Sequence, residues 1–243
     1  MSLAQFSSLS SFTFLPPPTP TTRVLPIRCF HTRPSTSTSA TTLSSILKSG
    51  VIACLRAKSP DVALEAAKAA ITGEISIVLH QLVQDFPTTT LGIGTLNIED
   101  AENAKKAGAK FIMSPAIVKA CILDEDSDDL LYIPCVMTPT EILSSYNAGA
   151  KIVKVYPVSS LGGVGYIATL KKPFPHIPLV ASQGITIDFV GGYIGEGASA
   201  VVLSNAIFEK EAMAQRNFTA VYQLAKLAAS QGNEAVEMYY YLL

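Results

Sequence analysis

A lysine within a run of β-branched residues is the side chain with the clearest capacity for chemistry. The run Lys151-Ile152-Val153-Lys154-Val155-Tyr156-Pro157 predicts a strand, on which successive side chains alternate between two faces. Lys151 and Lys154 therefore lie on opposite faces. If Lys151 is solvated, Lys154 points into the protein, where a low dielectric lowers an amine pKa and favours attack on a ketone. The alternative is a lysine that extends to the rim or pairs with a carboxylate.

Other polar or small residues follow predicted strands, at the end where a parallel barrel forms its active site. They are Arg56, Thr95, Ser114, Pro115, Thr138, and the groups 182–184 and 204–206. The last two groups follow the final two strands, where barrels often bind phosphate through backbone N–H groups. A phosphorylated or carboxylated ligand would suit these loops, although turns are the usual place for glycine and serine.

The elements that position these residues follow a repeating strand and helix pattern after residue 49. Predicted strands cover residues 51–55, 75–79, 90–94, 110–114, 131–136, 151–155, 179–182 and 200–203. About eight such strands close a barrel, whereas a doubly wound open sheet usually has about five or six. The pattern therefore predicts an α/β fold, a (β/α)8 TIM barrel.

Helix signals lie between the strands. Ser59 or Asp61 can cap a helix over 62–71, Asn97 one over 98–107, and Thr138 one over 139–146. Gly108 and Gly149 occupy the positions of helix C-terminal glycines. The spacing between the second and third strands barely reaches the minimum of about 10–12 residues for a crossover, which predicts a truncated second βα unit.

The first 46 residues have the composition of a transit peptide. They are rich in Ser, Thr and Pro, contain Arg23, Arg28 and Arg33, and precede the first carboxylate, Asp61. We expect a disordered leader over 1–46, a barrel over 47–232 and a C-terminal tail over 233–243. The Ser and Pro content favours the chloroplast stroma over the mitochondrion, and the alternative is an unstructured segment with no targeting role.

Composition limits the class of partner. The formal net charge is −1 and the apolar runs fall short of the roughly 20 residues that cross a bilayer. We therefore expect a small-molecule ligand, with no nucleic-acid or membrane partner.

Metal, disulfide and nucleotide chemistry have little support in the sequence. Cysteines and histidines are scattered and form no metal-binding or disulfide pattern, at Cys29, Cys54, Cys121, Cys135, His31, His80 and His176. Ordinary buried thiols are the expectation for the cysteines. Gly92-Ile93-Gly94 lacks the third glycine of a dinucleotide fingerprint, so no cofactor is expected.

Five segments, taken in order, resemble a known enzyme family. They are GVIACLRA at 50–57, GIGT at 92–95, FIMSP at 111–115, IPCVMTPTE at 133–141 and VKVYP at 153–157. They resemble the class I 2-keto-3-deoxy-6-phosphogluconate (KDPG) and 2-keto-4-hydroxyglutarate (KHG) aldolases, in a plant-like, plastid-targeted form. The similarity extends from about residue 49 to residue 226.

The resemblance implies a metal-free lyase that cleaves KDPG or KHG, a small-molecule 2-keto acid, to pyruvate and an aldehyde. It implies that Lys154 forms the Schiff base and that Arg56 holds an anionic end of the substrate. Thr95, Pro115 and Tyr156 would line the pyruvyl site, and relatives suggest a homotrimer. The phosphate-binding positions would include Gly184, Ser204 and Asn205, but Ser182-Gln183-Gly184 and Ser204-Asn205 replace the family's double glycines. A non-phosphorylated hydroxy-keto acid therefore stays open.

One departure from the family concerns its proton-shuttling glutamate, which ends the second strand. In this sequence Glu74 precedes the apolar run 75–79 instead of following it. Because general acid–base catalysis typically contributes about 10²–10⁴ in rate, an alternative is a weak or inactive barrel that binds keto acids or assembles with full-length relatives. A phosphate-dependent isomerase on the same barrel is a third hypothesis, and it requires no strand-borne lysine.

Overall fold

The structure, a computed structural model, describes residues 37–56, 59–72, 80–118 and 129–241. The helices are α1 (Thr38–Ser49), α2 (Pro60–Thr72), α3 (His80–Asp85), α4 (Ile98–Lys106), α5 (Pro139–Asn147), α6 (Gly163–Lys171), α7 (Val190–Gly195), α8 (Lys210–Ala214) and α9 (Phe218–Tyr241). The strands are β1 (Val51–Ala53), β2 (Gly92–Gly94), β3 (Phe111–Met113), β4 (Leu131–Ile133), β5 (Cys135–Val136), β6 (Val153–Val155), β7 (Leu179–Ser182) and β8 (Ala200–Leu203). Short 3₁₀ helices occupy Val158–Leu161 and Ile187–Phe189.

The strands pair in parallel around a barrel. One sheet has the order β1-β8-β7-β6-β5 and the other the order β2-β3-β4. Pro134 separates β4 from β5, and because proline has no N–H group it divides one barrel strand into two short pieces. The predicted (β/α)8 TIM barrel is confirmed. The predicted second strand, 75–79, lies outside the described residues, and the helix that follows it, α3, has only 6 residues.

The predicted helix caps are present. The Asn97 side chain accepts a hydrogen bond from the Glu99 N–H, and Ser59 Oγ accepts one from the Val62 N–H at 3.4 Å, which selects Ser59 over Asp61. Gly108, at φ 95°, follows α4 in the left-handed conformation that glycine adopts without strain. These local signals place the helices as predicted because capping depends on neighbouring residues alone.

Helix α5 begins with a capping box. Glu141 Oε2 accepts hydrogen bonds from the N–H groups of Met137 and Thr138, at 2.7 and 2.8 Å, and from the Thr138 hydroxyl. The Met137 N–H bond is the main reason that the pKa of Glu141 falls below its usual range. A carboxyl with a depressed pKa stabilises the fold above its unfolded-state pKa, and that stabilisation disappears as pH falls through the folded-state pKa.

Thr138→Ala is expected to destabilise the barrel by about 1 kcal/mol, because it removes the hydroxyl that accepts the Glu141 N–H. For a chain of this length that corresponds to a Tm lower by roughly 2–4 °C. Thr140→Ala, an exposed position on the same helix, is the matched control. Equal Tm values for the two variants would show that the cap contributes nothing.

Alternate residues of the strands form two different packing layers. Inside the barrel, buried side chains form one cluster, which includes Ile52, Phe111, Ile133, Ile152, Val180 and Val202. Residues of the opposite parity, including Val153, Val155, Leu179, Ala181 and Val201, pack outward against the helices. The position of any strand side chain, inside or outside, therefore follows from its parity.

The folded region extends beyond both ends of the predicted barrel. The expected disorder up to residue 46 is wrong for its last part, because α1 begins at Thr38 and buries Ser39, Thr42 and Ile46. Ile46 belongs to the cluster inside the barrel. The expected tail 233–243 is helical through residue 241, since α9 continues to Tyr241 with Ala235 and Val236 buried. Residues 1–36 lie outside the described part of the chain.

Among the described residues, the helices are all too short or too polar to cross a bilayer.

Candidate active site

A cavity of about 1020 Å³ lies at the carboxyl ends of the barrel strands. Seven of the eight residues predicted from sequence to form the site line it. They are Lys154, Arg56, Pro115, Tyr156, Gly184, Ser204 and Asn205. They lie on or shortly after five different strands, β1, β3, β6, β7 and β8. The barrel thus brings together residues that are up to 149 positions apart in the chain.

Lys154 occupies the centre of β6 with its side chain on the inner face of the barrel. Ile152, two residues earlier and therefore on the same face, belongs to the cluster inside the barrel. The register partner of Lys154 on β7, Val180, also belongs to that cluster. Lys154 is only 9% exposed, whereas Lys151 is exposed and donates a hydrogen bond to Ser39 Oγ at 3.2 Å. The inward orientation expected from the strand period is confirmed.

The surroundings of Lys154 favour a neutral amine. Burial is the largest cause of a pKa below the ordinary lysine value, and the positive charge of Arg56 lowers this pKa further. Cys135 and Cys54 act in the opposite direction through their thiolate forms. The Nζ atom lies 5.8 Å from the centre of the Tyr156 ring, an aromatic face beside the amine. A buried amine with a lowered pKa is a nucleophile for a carbonyl carbon.

Two cysteines, Cys54 and Cys135, act on this amine, although the sequence indicated only ordinary buried thiols. Cys135 pairs in register with Lys154, and burial raises the pKa of its thiol. Cys54 is partly exposed and lines the cavity. Both lie at positions of their strands that face into the barrel, and the strand alternation in the sequence indicates this. Their electrostatic effect on Lys154 could not be predicted from the sequence, because it depends on the fold bringing three strands together.

Thr95 is the predicted site residue that does not line the cavity. Its hydroxyl donates to Asp100 Oδ2 at 3.0 Å and accepts from the Asn97 N–H at 2.9 Å. The side chain therefore organises the first turn of α4. A threonine two residues before a helix cap can hydrogen-bond to the first turn of that helix, and this bonding competes with a ligand for the hydroxyl.

The loop that carries Pro115 is held by a buried polar contact. Ser114 Oγ shares a hydrogen bond with the Tyr132 hydroxyl at 2.6 Å and also donates to the Ala116 carbonyl. The Tyr132 hydroxyl accepts from the Val118 N–H at 2.9 Å. These contacts fix the chain on either side of Pro115 at the cavity wall.

The loops after β7 and β8 form the outer end of the cavity. Gln183 has φ 87° and Gly184 has φ 71°, and the Ser159 hydroxyl donates to Gln183 Oε1. After β8, the Ser204 carbonyl accepts the N–H groups of Ile207 and Phe208, so the chain turns directly after the strand. Asp188 and Glu209 also line the cavity, and sequence reasoning missed both because each lies six residues beyond its strand.

Within the described residues, no group of three or more His, Cys, Asp or Glu side chains could hold a metal ion. Glu74, whose position departed from the family pattern, lies outside those residues.

The site and fold match one family of known proteins. A family model described as "KDPG and KHG aldolase" matches residues 44–224, which is most of the chain. The chain belongs to this family. The match begins inside α1, three residues before the barrel boundary expected from composition.

Relatives of this aldolase chain include two bacterial aldolases. It is 29% identical over 156 residues to the 2-dehydro-3-deoxy-phosphogluconate aldolase of Treponema pallidum, covering 64% of this chain and 69% of that one. It is 24% identical over 160 residues to the KHG/KDPG aldolase of Escherichia coli K12, covering 60% and 75%. These are members of a lyase family, and the chain is accordingly an aldolase-type lyase.

A solved relative shares the aldolase fold. The KDPG aldolase of Legionella pneumophila, with pyruvate captured as a covalent carbinolamine intermediate, superposes with a TM-score of 0.69. The identity is 21%, and the superposition covers 77% of this chain and 97% of the Legionella chain. Because nearly all of the Legionella chain is covered, the two proteins share this fold.

Proposed function

We propose that the protein is a class I aldolase that cleaves a 2-keto-4-hydroxy acid, KDPG or KHG, to pyruvate and an aldehyde. The observation that carries this proposal is the Lys154 amine, which is buried on the inner face of β6 with a lowered pKa and opens onto the cavity. The covalent pyruvate adduct of the Legionella relative supports the same class of chemistry.

The reaction follows from a neutral amine at this position. The Lys154 nitrogen attacks the C2 ketone, and the carbinolamine loses water to give a protonated imine. The C4 hydroxyl then loses its proton as the C3–C4 bond breaks, so that the aldehyde leaves and the electron pair moves into the imine. Protonation of C3 and hydrolysis of the imine release pyruvate and restore the amine.

Arg56 and Tyr156 suit the pyruvyl end of the substrate. Arg56 lines the same cavity as Lys154, and its guanidinium would pair with the C1 carboxylate of a ketone bound there. The Tyr156 ring lies beside the amine and would cover one face of the planar imine.

Reductive trapping followed by turnover measurement tests this function. Pyruvate with sodium borohydride should leave a stable adduct, and mass spectrometry of peptides should place it on Lys154. The purified protein should also release pyruvate from KHG or KDPG. A phosphate-dependent isomerase would give no adduct, and a barrel that only binds keto acids would give the adduct without pyruvate release. Either outcome would contradict the proposal.

The pH dependence of trapping follows from the lowered pKa of Lys154. Imine formation needs the neutral amine, so the trapping rate should rise at lower pH than for Nα-acetyl-lysine amide. Initial trapping rates are measured with cyanoborohydride and saturating pyruvate from about pH 5 to about pH 10. The curve of rate against pH has one inflection for the protein and one for the amide. Arg56→Gln should move the protein's inflection upward, because it removes a positive charge that lowers the amine pKa. Coincident inflections for protein and amide would contradict this account.

We propose in addition that the N-terminal segment directs the protein to the chloroplast stroma. Its Ser, Thr and Pro content, its arginines and the absence of acidic residues before Asp61 support this. A fluorescent protein fused after residue 36 should accumulate in plastids of plant cells. Accumulation in mitochondria or the cytosol would contradict it.

A homotrimer is the assembly that we propose, by analogy with the family. Three exposed apolar side chains at and along α5, Met137, Leu143 and Tyr146, offer surface that an assembly would cover. Light scattering after gel filtration should give three times the 25.8 kDa chain mass, less any leader removed. A monomer mass would exclude the trimer.

A further inference from the structure

Gln183 is a side chain of the cavity wall that the proposed reaction steps leave unused. It is the first residue after β7, and it lies three residues beyond Val180, the register partner of Lys154. Its φ of 87° is unusual for a residue other than glycine. Because such backbone strain persists mainly at ligand-binding and catalytic positions, this residue is a candidate for direct contact with the substrate.

A hydrogen bond fixes the direction of the Gln183 amide. Ser159 lies in the 3₁₀ helix after β6, and its hydroxyl donates to Gln183 Oε1. The two loops pack closely, since a Cβ atom added at Gly184 would lie 2.6 Å from Ser159 Cβ. With Oε1 occupied, Nε2 is the end of the amide that can donate to a ligand, and within the described residues it has no partner. The amide therefore lies at the carboxyl ends of β7 and of β6, the strand that carries Lys154.

The two candidate substrates differ at the end far from the ketone. Both have a C1 carboxylate and a second anionic group. In KHG that group is the C5 carboxylate, which is bonded directly to C4, whereas in KDPG the phosphorus lies three bonds beyond C5. An extended tail therefore places the phosphate about 4 Å farther from C4 than the carboxylate of KHG. Length, more than the presence of charge, separates the two substrates.

The Gln183 side chain suits the shorter of these tails. Once C2 is bound to Lys154, the tail extends toward the loops at the carboxyl ends of the strands, and the loops after β7 and β8 are where barrels frequently hold a distal anion. A glycine directly after β7 would present its backbone alone. Glutamine carries its amide up to about 5 Å from Cα, a reach comparable with the difference in length between the two tails.

We propose that Gln183 is a specificity-determining residue that binds the distal carboxylate of a short 2-keto-4-hydroxy diacid, KHG, and disfavours the longer, phosphorylated KDPG. Gln183 Nε2 donates a charge-assisted hydrogen bond to the C5 carboxylate. The same side chain occupies space through which the tail of KDPG would pass. This inference rests on the proposed aldolase function and narrows it to one of its two substrates.

The ratio of kcat/KM for KHG to kcat/KM for KDPG tests this proposal. Cleavage gives pyruvate from both substrates, with glyoxylate from KHG and glyceraldehyde 3-phosphate from KDPG, so pyruvate measured by liquid chromatography reports both reactions. The ratio should exceed one for the natural protein. Gln183→Gly should lower it by about tenfold, which equals about 1.4 kcal/mol and is the size of one hydrogen bond to a charged group.

Two further variants separate the amide from general effects of substitution. Ser159→Ala removes the hydroxyl that orients the amide, so the ratio should fall in the same direction by a smaller factor. Gln215→Gly, the same change at an exposed residue outside the cavity lining, should leave the ratio unchanged. Gln183→Gly should not lower Tm, because glycine adopts this φ without strain.

A natural protein that cleaves KDPG more efficiently than KHG would overturn the proposal, and so would a ratio that Gln183→Gly leaves unchanged. In either case, pyruvate trapping on Lys154 and the release of pyruvate show that the aldolase function still stands. Absence of trapping, with no pyruvate released from either substrate, would instead remove the proposed function and this inference together.

Discussion

Lys154→Met is expected to abolish borohydride trapping of pyruvate and to lower kcat/KM for keto-acid cleavage by roughly 10⁴-fold or more. Lys154 provides the nitrogen of every covalent intermediate in the proposed reaction, and losing a nucleophile commonly removes at least that much rate. Mass spectrometry after reduction measures the adduct, and pyruvate release measures turnover. Lys172→Met, at an exposed position after α6, is the control that should retain both.

Methionine separates a chemical effect from a folding effect. It fills similar space without a charge, so the variant should be at least as stable as the natural protein, in which a buried amine opposes folding. The sign of the pH dependence checks this. Between the lowered folded-state pKa and the ordinary lysine pKa, the unfolded chain binds more protons, so the natural protein gains stability as pH rises. The stability advantage of the variant should therefore shrink toward high pH.

Persistent labelling in Lys154→Met, at a different lysine, would contradict the assignment. So would an equal loss of turnover in Lys172→Met, because that residue lies outside the cavity lining.

The position of Lys154 could be predicted because it depends on a local rule. Successive side chains of a strand point to opposite faces, so an exposed Lys151 places Lys154, three residues later, on the inner face. The helix caps at Asn97 and Thr138 were predictable for the same reason, since a cap is recognised from its neighbours. The ring of parallel strands followed from the repeat of these local elements, because about eight such strands close a barrel.

The parts of the site that the sequence missed depend on long-range geometry. Asp188 and Glu209 reach the cavity only because the chain turns sharply after β7 and β8. The positive φ of Gln183 is unexpected, since a residue with a side chain usually avoids it. Thr95 does not line the cavity, and its hydroxyl makes a local hydrogen bond to Asp100 that would compete with a ligand.

The helix before the barrel was missed because composition concealed a helical pattern. Residues 38–49 are rich in Ser and Thr, like the leader that precedes them, yet their buried positions recur every three or four residues. Ser39, Thr42 and Ile46 lie on one helix face, and Leu43 and Leu47 pack beside them. Composition averages over a segment, whereas packing depends on which positions are apolar.

A chain that starts at residue 47 is expected to lose most of its stability relative to one that starts at Ser37. The shorter chain lacks Leu43 and Ile46, which pack into the cluster inside the barrel with Ile52, Phe111 and Leu131. Each large apolar side chain buried contributes about 1.5–3 kcal/mol, and a domain has only about 5–15 kcal/mol in total. Thermal unfolding followed by circular dichroism should give a much lower Tm, or no cooperative transition.

A single substitution tests the same packing without shortening the chain. Ile46→Ala should destabilise the protein by about 2–4 kcal/mol, since Ile46 is 4% exposed within the interior cluster. Ser44→Ala, on the exposed face of α1, should change stability by less than about 0.5 kcal/mol. Equal Tm values for the chains starting at 37 and 47 would show that α1 does not support the barrel.

This packing also limits where a leader can be removed. Import into an organelle would leave a stable enzyme only if cleavage occurs before α1, because cutting at the compositional boundary would open the amino-terminal end of the barrel. Ser37 caps α1 by accepting the Ala40 N–H at 3.2 Å, so the helix keeps its first turn only in a chain that retains this serine. The N-terminal residue of the protein isolated from the organelle should therefore be Ser37 or an earlier one.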